Sequence, residues 1–526
     1  MPPASRAMRH KKRYSRITMS VSTPVSKTRS FATVFLIEMW ERFGYYGMVA
    51  LMVLFMVEKL GFDDSSANLI WGAFVALIYA SPSIGGWIGD HVLGSRRSMV
   101  IGAVVLGVGY LMLAMPTDNL QFLYASLGVM VVGNGLFKAN AANLVRRIYE
   151  GDDARLDSAF TIYYMAVNIG STVSMLVTPW IKDRWGWHPA FAVCCAGMAV
   201  GVINYLLMHR TLARVGSKPD DQPVRWGRAG AVALGGIALA LVTTFLLGHK
   251  ALAVAAVWTA AVVVLGIFLY MIVKVNRSER SGLIAALVLI AQVILFFIFY
   301  QQMSTSLTLF AFRNVDPRFT LFGTTLFSWS AGQFQALNPI WIMLLSPVLV
   351  WIYNSLANRG VNVPVAVKYM LGFAVVAAGF FVFAASGSFA VDGRVSSWFM
   401  VGGYGLYSLG ELLVSGLGLA MIARYVPARM GGFMMGAYFV ATGISQYLGS
   451  VVANLAKMPS HDLPATASLP LYVHLFTTLG WVAVGGTLVS CLLLPLMAKL
   501  SLAHHNASTE RKRGNDALQA SGAAAQ

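Results

Sequence analysis

Apolar runs about 20 residues long recur along almost the whole chain, and a bilayer-spanning helix needs that length. They occupy 31–57, 67–90, 98–115, 120–144, 158–181, 188–209, 229–248, 251–273, 281–311, 335–357, 366–387, 397–423, 431–455 and 471–498. With only 11% of its residues charged and 57% hydrophobic, the chain has about half the charge of a soluble domain. A membrane β-barrel would instead show short alternating segments. The reading is an all-α polytopic membrane protein of 14 helices, and the 50 glycines suit close helix packing in lipid.

Alternating the loops across the membrane puts 29 of the 39 Lys and Arg on the side that holds both termini. The positive-inside rule then places both termini in the cytoplasm. The net charge of +18 is accounted for by topology and by contact with an anionic lipid bilayer, with no nucleic acid partner. Cys194, Cys195 and Cys491 all fall in apolar spans and read as small core residues, with no metal site.

The spans divide six, two, six. Residues 1–30 form a basic cytoplasmic tail and 31–209 a first six-helix half. Residues 210–280 are a linker carrying two extra helices, 281–499 a second six-helix half, and 500–526 a polar tail expected to be disordered. A faint repeat supports the two halves. Ser81-Pro82 precedes Trp87-Ile88 in the second span of the first half, and Ser346-Pro347 precedes Trp351-Ile352 at the same place in the second. Two such halves around a central site are the plan of a secondary transporter.

Five charges lie well inside the spans, away from their ends: Glu38, Glu41 and Arg42 in the first, Lys138 in 120–144 and Glu411 in 397–423. Three unpaired charges in one span would cost roughly 7–10 kcal/mol on insertion scales. Glu38 and Arg42 are spaced i,i+4, and Glu41, Tyr45 and Tyr46 lie within a turn of the same stripe, which cannot face lipid. Ion pairs that merely fix helix register are the plain structural alternative, but apolar residues do that at least as stably. The functional reading is a polar cavity with a positive and a negative pole, in which a carboxylate's protonation responds to a bound solute.

These residues also carry a resemblance. Glu38-x-x-Glu41-Arg42-Phe43-Gly44-Tyr45-Tyr46 resembles the first-helix motif of the proton-dependent oligopeptide transporters, a family of the major facilitator superfamily. Gly86-x-x-x-Asp90-x-x-x-Gly94-x-Arg96-Arg97 resembles the superfamily's loop between helices two and three. Gly135 to Asn140, Phe160 to Gly170, Gln335 to Pro339 and Ser408 to Glu411 resemble further signatures, so the likeness runs from about residue 31 to 499. The two extra helices are similar to those of bacterial members.

The resemblance implies the major facilitator fold and a proton-coupled importer of di- and tripeptides in the bacterial inner membrane. Peptide-like drugs would be further cargo. No cofactor is implied beyond the coupling proton, and the working unit would be a monomer. Glu38, Glu41, Arg42, Lys138 and Glu411 would couple protons. Arg42 and Lys138 would hold the peptide carboxylate and Glu411 the amino terminus, with Tyr45, Tyr46, Tyr79, Tyr164, Asn168, Asn338 and Ser415 lining the pocket. Asp90, Arg96, Arg97 and Asp316 would serve gating or structure.

The chain departs from the family pattern in three places. Val49 stands where many members carry an Arg that pairs with the acid aligned to Asp316, which leaves Arg313 or plain packing to close the outer gate. Gly72 stands where animal members have a His, which excludes coupling through that residue. Some relatives have a seventh-helix acid near Tyr300-Gln301-Gln302, and this chain has none. A carrier of another small anion or drug-like solute remains open within the same fold. A membrane enzyme lacks any His-Glu-x-x-His, Walker A or Gly-x-Ser-x-Gly motif, and a receptor would need an appended soluble domain.

Overall fold

The computed structural model describes residues 26–414, 425–426, 428–458 and 463–524. Its first half comprises α1 (Lys27–Leu54, extended by a π-helical turn Phe55–Lys59), α2 (Asp64–His91), α3 (Ser95–Ala114), α4 (Leu120–Ile148), α5 (Asp153–Trp185) and α6 (Trp187–Met208). The two extra helices are α7 (Trp226–Gly248) and α8 (Lys250–Lys274). The second half comprises α9 (Arg277–Tyr300), α10 (Ser306–Asn314), α11 (Leu337–Asn358), α12 (Val365–Ala385), α13 (Ser397–Val414), α14 (Ala428–Ala453) and α15 (Ala465–Ala524). Among the described residues, 11 helices are long and apolar enough to cross a membrane, counting α9 and α10 as one. α1, with Glu38, Glu41 and Arg42 in its apolar stretch, is not among them. Among the described residues, every expected span is occupied by helix.

Four details depart from the sequence reading. The span expected over 281–311 is broken between α9 and α10 by a 3₁₀ turn, Gln301–Ser304, and an irregular Thr305 (φ −120°, ψ −99°). Polar side chains cause the break by competing for backbone groups. Thr305 Oγ1 donates to Gln301 O at 2.8 Å, Thr308 Oγ1 to Met303 O at 2.6 Å, and Gln302 Nε2 to Gly449 O at 2.9 Å. A two-stranded hairpin, β1 (Arg318–Leu321) and β2 (Thr324–Ser328), turns at Phe322-Gly323, both with positive φ. This is the backbone a two-residue hairpin turn requires. In addition, α15 continues to Ala524 where disorder was expected from 500, because that stretch contains no proline and many strong helix formers. Cys491, expected in the core, faces outward, while Cys194 is buried.

The repeated Ser-Pro pairs do have a common structural role. Pro82 and Pro347 both lie inside helices, α2 and α11, where each deprives the carbonyl four residues earlier of its hydrogen bond. The Ile78 carbonyl orphaned by Pro82 accepts from Ser81 Oγ at 3.1 Å and from Asn134 Nδ2 of α4 at 2.9 Å. Ser346 Oγ donates to Ile342 O at 2.6 Å beside the other proline. Small residues let α2 and α4 approach closely enough for this. A Cβ on Gly85 would lie 1.9 Å from the Gly135 carbonyl oxygen, and one on Gly89 would lie 1.7 Å from Asn140 Oδ1.

At the face carrying the start of α1 and the short loops 92–94 and 149–152, the tail face, the linker after α6 is clamped to the loop between α2 and α3. Arg96 donates to the carbonyls of Leu212 and Ala213, and Arg97 to those of Pro219 and Gln222. Asp220 accepts from the backbone N–H groups of Arg96 and Arg97, capping α3. Asp90 accepts from Asn143 Nδ2 at 2.8 Å and pairs with Arg147 at 3.3 Å.

The opposite face is closed between the halves. Arg313 of α10 forms a bidentate pair with Asp64 of α2, both bonds 2.8 Å, and donates to the Tyr472 hydroxyl of α15 at 2.9 Å. Asp316 pairs instead with its neighbour Arg318, which holds the Asp316 carboxyl below the ordinary carboxylate range. Packing adds to the closure. A Cβ on Gly72 would meet Ser450 of α14 at 2.6 Å, and one on Gly443 would meet the Ala76 carbonyl at 2.6 Å. Gly332 sits in the same way against the Ala50 carbonyl, next to the buried Val49. Arg313 and packing therefore both occupy the role left open at Val49.

Replacing Asp64 with Asn leaves the half-enclosed guanidinium without its anion, a loss on the order of 3 kcal/mol. Cysteines placed at the opposite-face ends of α2 and α10 are expected to become reactive to a membrane-impermeant maleimide in Asp64→Asn. The charge-swapped pair Asp64→Arg with Arg313→Asp is expected to restore protection.

Candidate functional site

α1 carries its charges into the interior because α5 packs directly on it. A Cβ on Gly170 would come within 2.3 Å of the Met39 carbonyl oxygen, so this glycine sets the distance between the two helices. At that level Glu38 and Glu41 are fully enclosed and Arg42 nearly so. Arg42 Nε donates to Glu41 Oε2 at 2.5 Å and Nη2 to Oε1 at 2.6 Å, a fork-to-fork pair between adjacent residues. The i,i+4 partner Glu38 is farther, at 3.7 Å from Arg42 Nε. Glu38 is held instead from α4, where Lys138 Nζ donates to its Oε1 at 2.9 Å. The Arg42 guanidinium also lies 4.8 Å from the Tyr45 ring centre and 5.9 Å from that of Tyr46.

The second half contributes the other pole. Glu411 of α13 is buried and accepts from Asn338 Nδ2 of α11 at 2.7 Å. Asn338 also donates to Ser408 at 3.1 Å. Among the described residues no cation pairs with Glu411; Lys138 is on Glu38. Glu411 interacts electrostatically with Tyr46, Tyr79, Tyr164, Tyr300 and Tyr407, so the negative pole looks across an aromatic wall toward α1. On this wall the Lys138 side chain is 35% exposed, and Tyr164 is 42% exposed. The arrangement can hold a small solute carrying both charges, and its open cation and lone carboxylate stand on different halves.

The structure thus brings together Glu38, Glu41, Arg42, Lys138, Tyr45 and Tyr46 on one wall, with Asn338 and Glu411 on the other. Tyr79 packs against Phe297, which in turn touches Tyr300. Asn168 turns its amide back to the Tyr164 carbonyl at 2.9 Å, so it shapes α5 here and does not reach the cavity charges. Asp90, Arg96, Arg97 and Asp316 lie at the two faces, away from this centre. Ser415 lies outside the described residues. Two residues were missed. Tyr163 interacts with Glu38, and Tyr300 shares the wall around Glu411. Tyr163 was readable in principle, since it stands seven residues before Gly170 and so on the α1-facing side of α5.

Residues 96–469 match the family model described as the POT family. Dipeptide and tripeptide permease B of Aliivibrio fischeri (strain MJ11) is 40% identical over 478 residues, 90% of this chain and 96% of that protein. Dipeptide and tripeptide permease A of Chromobacterium violaceum is 38% identical over 502 residues, 95% of this chain and 100% of that one. Among solved structures, a bacterial homologue of the human drug peptide transporters is 57% identical with a TM-score of 0.82, covering 90% of this chain and 100% of its own. Tetrameric PepTSo2 is 56% identical with a TM-score of 0.83 over the same shares.

Removing Lys138 would leave Glu38 enclosed with Arg42 at 3.7 Å as its nearest cation, a loss on the order of 3 kcal/mol while the carboxylate stays charged. Protonation relieves that loss. The melting temperature of Lys138→Gln in detergent is therefore expected to fall below the wild type's by more at pH 8 than at pH 5. The double change Lys138→Gln with Glu38→Gln is expected to remove this pH dependence.

Proposed function

This chain belongs to the POT family, and on that basis we propose that it is a proton-coupled symporter of di- and tripeptides. The observation that carries the reading is the split of charges between halves: an arginine and a lysine on the first, a lone enclosed carboxylate on the second. A short peptide is a zwitterion whose carboxylate suits Arg42 and Lys138 and whose ammonium suits Glu411. Main-chain termini read by ion pairs leave side chains loosely specified and length strictly limited. Peptide-like drugs with the same two termini fit the same reading.

Coupling follows from competition for the cations. Arg42 serves Glu41 and Lys138 serves Glu38. A peptide carboxylate that takes either cation leaves a carboxylate in a dry site, and a proton is the simplest way to neutralise it. Proton and peptide then load together. A loaded cavity has its charges matched, so the pair Arg313–Asp64 and the packing around Gly72 can open while the tail face closes. The tail face is the cytoplasmic one, given its Lys and Arg excess, and the membrane is the bacterial inner membrane. The working unit is the single chain, since all five charges come from one copy. Protons replace any cofactor, and the family supplies transport, not an enzyme's reaction.

In proteoliposomes, the wild type is expected to concentrate a labelled dipeptide when the outside is acidic. Glu41→Gln is expected to keep peptide counterflow but lose concentration against a gradient. Glu411→Gln is expected to weaken peptide binding about 100-fold, the factor for an enclosed ion pair worth ~3 kcal/mol. A Glu41→Gln protein that still concentrates peptide contradicts its coupling role.

A further inference from the structure

Away from the central charges, α7 packs on α4 from its middle to its opposite-face end. Near the opposite face a Cβ on Gly128 would lie 2.6 Å from the Ala240 carbonyl, and Thr244 reaches the Tyr124 carbonyl at 3.4 Å. Toward the tail face the helices part and leave a cleft of about 670 Å³ between α2, α4 and α7, with walls that include Ile84, Trp87, Val132, Leu136, Val232 and Leu239. Nothing lies within 4 Å of where a Cβ on Gly235 would point. His91 and Arg228 end this apolar cleft and also line a second, polar cavity of about 360 Å³ at the tail-face surface, together with Lys218 and Arg225. The two form one slot, apolar within the membrane span and basic where it leaves it.

The charges of the polar end are uneven in a useful way. Asp90 lines it but is already held by Asn143 and Arg147. Arg97 lines it with its guanidinium committed to the carbonyls of Pro219 and Gln222. Lys218, Arg225 and Arg228 are exposed and have no ion pair among the described residues. At the junction Trp87 is 59% exposed and stacks on the His91 ring at 5.6 Å, the amphipathic placement typical of a tryptophan at headgroup depth.

We propose that this slot binds one anionic phospholipid, with an acyl chain in the cleft of α2, α4 and α7 and its phosphate at Lys218, Arg225 and Arg228. Basic pockets between membrane helices recognise anionic headgroups in this manner. The lipid fills the gap between the extra helix and the first half, on the side where the linker is clamped to Arg96 and Arg97.

The test is native mass spectrometry of the full chain released from nanodiscs of equal phosphatidylglycerol and phosphatidylethanolamine. The wild type is expected to retain phosphatidylglycerol preferentially. Arg225→Gln and Arg228→Gln are each expected to lower that preference about fivefold, the factor for ~1 kcal/mol per basic side chain at an anionic surface. Gly235→Leu, which fills the cleft, is expected to reduce retention of both lipids. Without variants, phosphatidylglycerol is expected to raise the melting temperature of delipidated wild type more than phosphatidylethanolamine does. Equal retention of the two lipids by the wild type, or unchanged preference in both Arg variants, overturns the proposal. So does a Gly235→Leu protein that keeps its lipid and loses an oligomer, which would show a second copy in the slot.

Discussion

Arg42 is committed to Glu41 at 2.5 Å inside a membrane helix, and the rest of the first half is arranged so that this pair and its neighbours can stay dry. Gly170 brings α5 onto α1, Lys138 reaches in from α4 to hold Glu38, and Tyr45 and Tyr46 cover the guanidinium. Each enclosed charge would be costly alone, and each has its cost reduced by one neighbour on another residue or helix. The four charges balance, two acidic and two basic, so any new anion entering the site must displace one already there. That is a physical basis for coupling a solute to a proton.

The two halves solve one structural problem twice. Each second helix carries a Ser-Pro pair; in α2 the serine hydroxyl helps to cover the carbonyl that the proline orphans, and in α11 Ser346 bonds the neighbouring Ile342 carbonyl. In α2 the cover also comes from Asn134, which ties the helix to α4, the helix that carries Lys138. The break between α9 and α10 gives the second half a joint directly above the cavity, with Arg313 on its far side. Arg313 of α10 holds Asp64 across the halves, and mid-helix 3₁₀ stretches often mark hinges.

Much of this was legible in the sequence because lipid permits few solutions. Apolar run length located the helices seen among the described residues, and the expense of charges in lipid singled out Glu38, Glu41, Arg42, Lys138 and Glu411 before any geometry was known. What was not legible depended on contacts between helices distant in sequence. The partner of Arg313 could not be read, since Asp64 is 249 residues away. The choice of Lys138 for Glu38 over Glu411, and the orientation of Tyr163 toward Glu38, are packing outcomes. The break at Thr305 had a sequence signal, the run of polar residues from Gln301 to Ser306, which hydropathy averaged away. The hairpin was hidden by its short strands, although Phe322-Gly323 is the kind of pair that turns one.

Peptide loading and proton loading meet at the cations of α1 and α4. Linkage is reciprocal, so a peptide that displaces a carboxylate from its cation must draw a proton from solution as it binds. Calorimetric titration of a dipeptide into the detergent-solubilised protein, repeated in buffers of different ionisation heat, measures that proton directly. Net proton uptake is expected in the wild type, reduced when Glu38 and Glu41 are both replaced by Gln. Binding heats that do not depend on the buffer would contradict it.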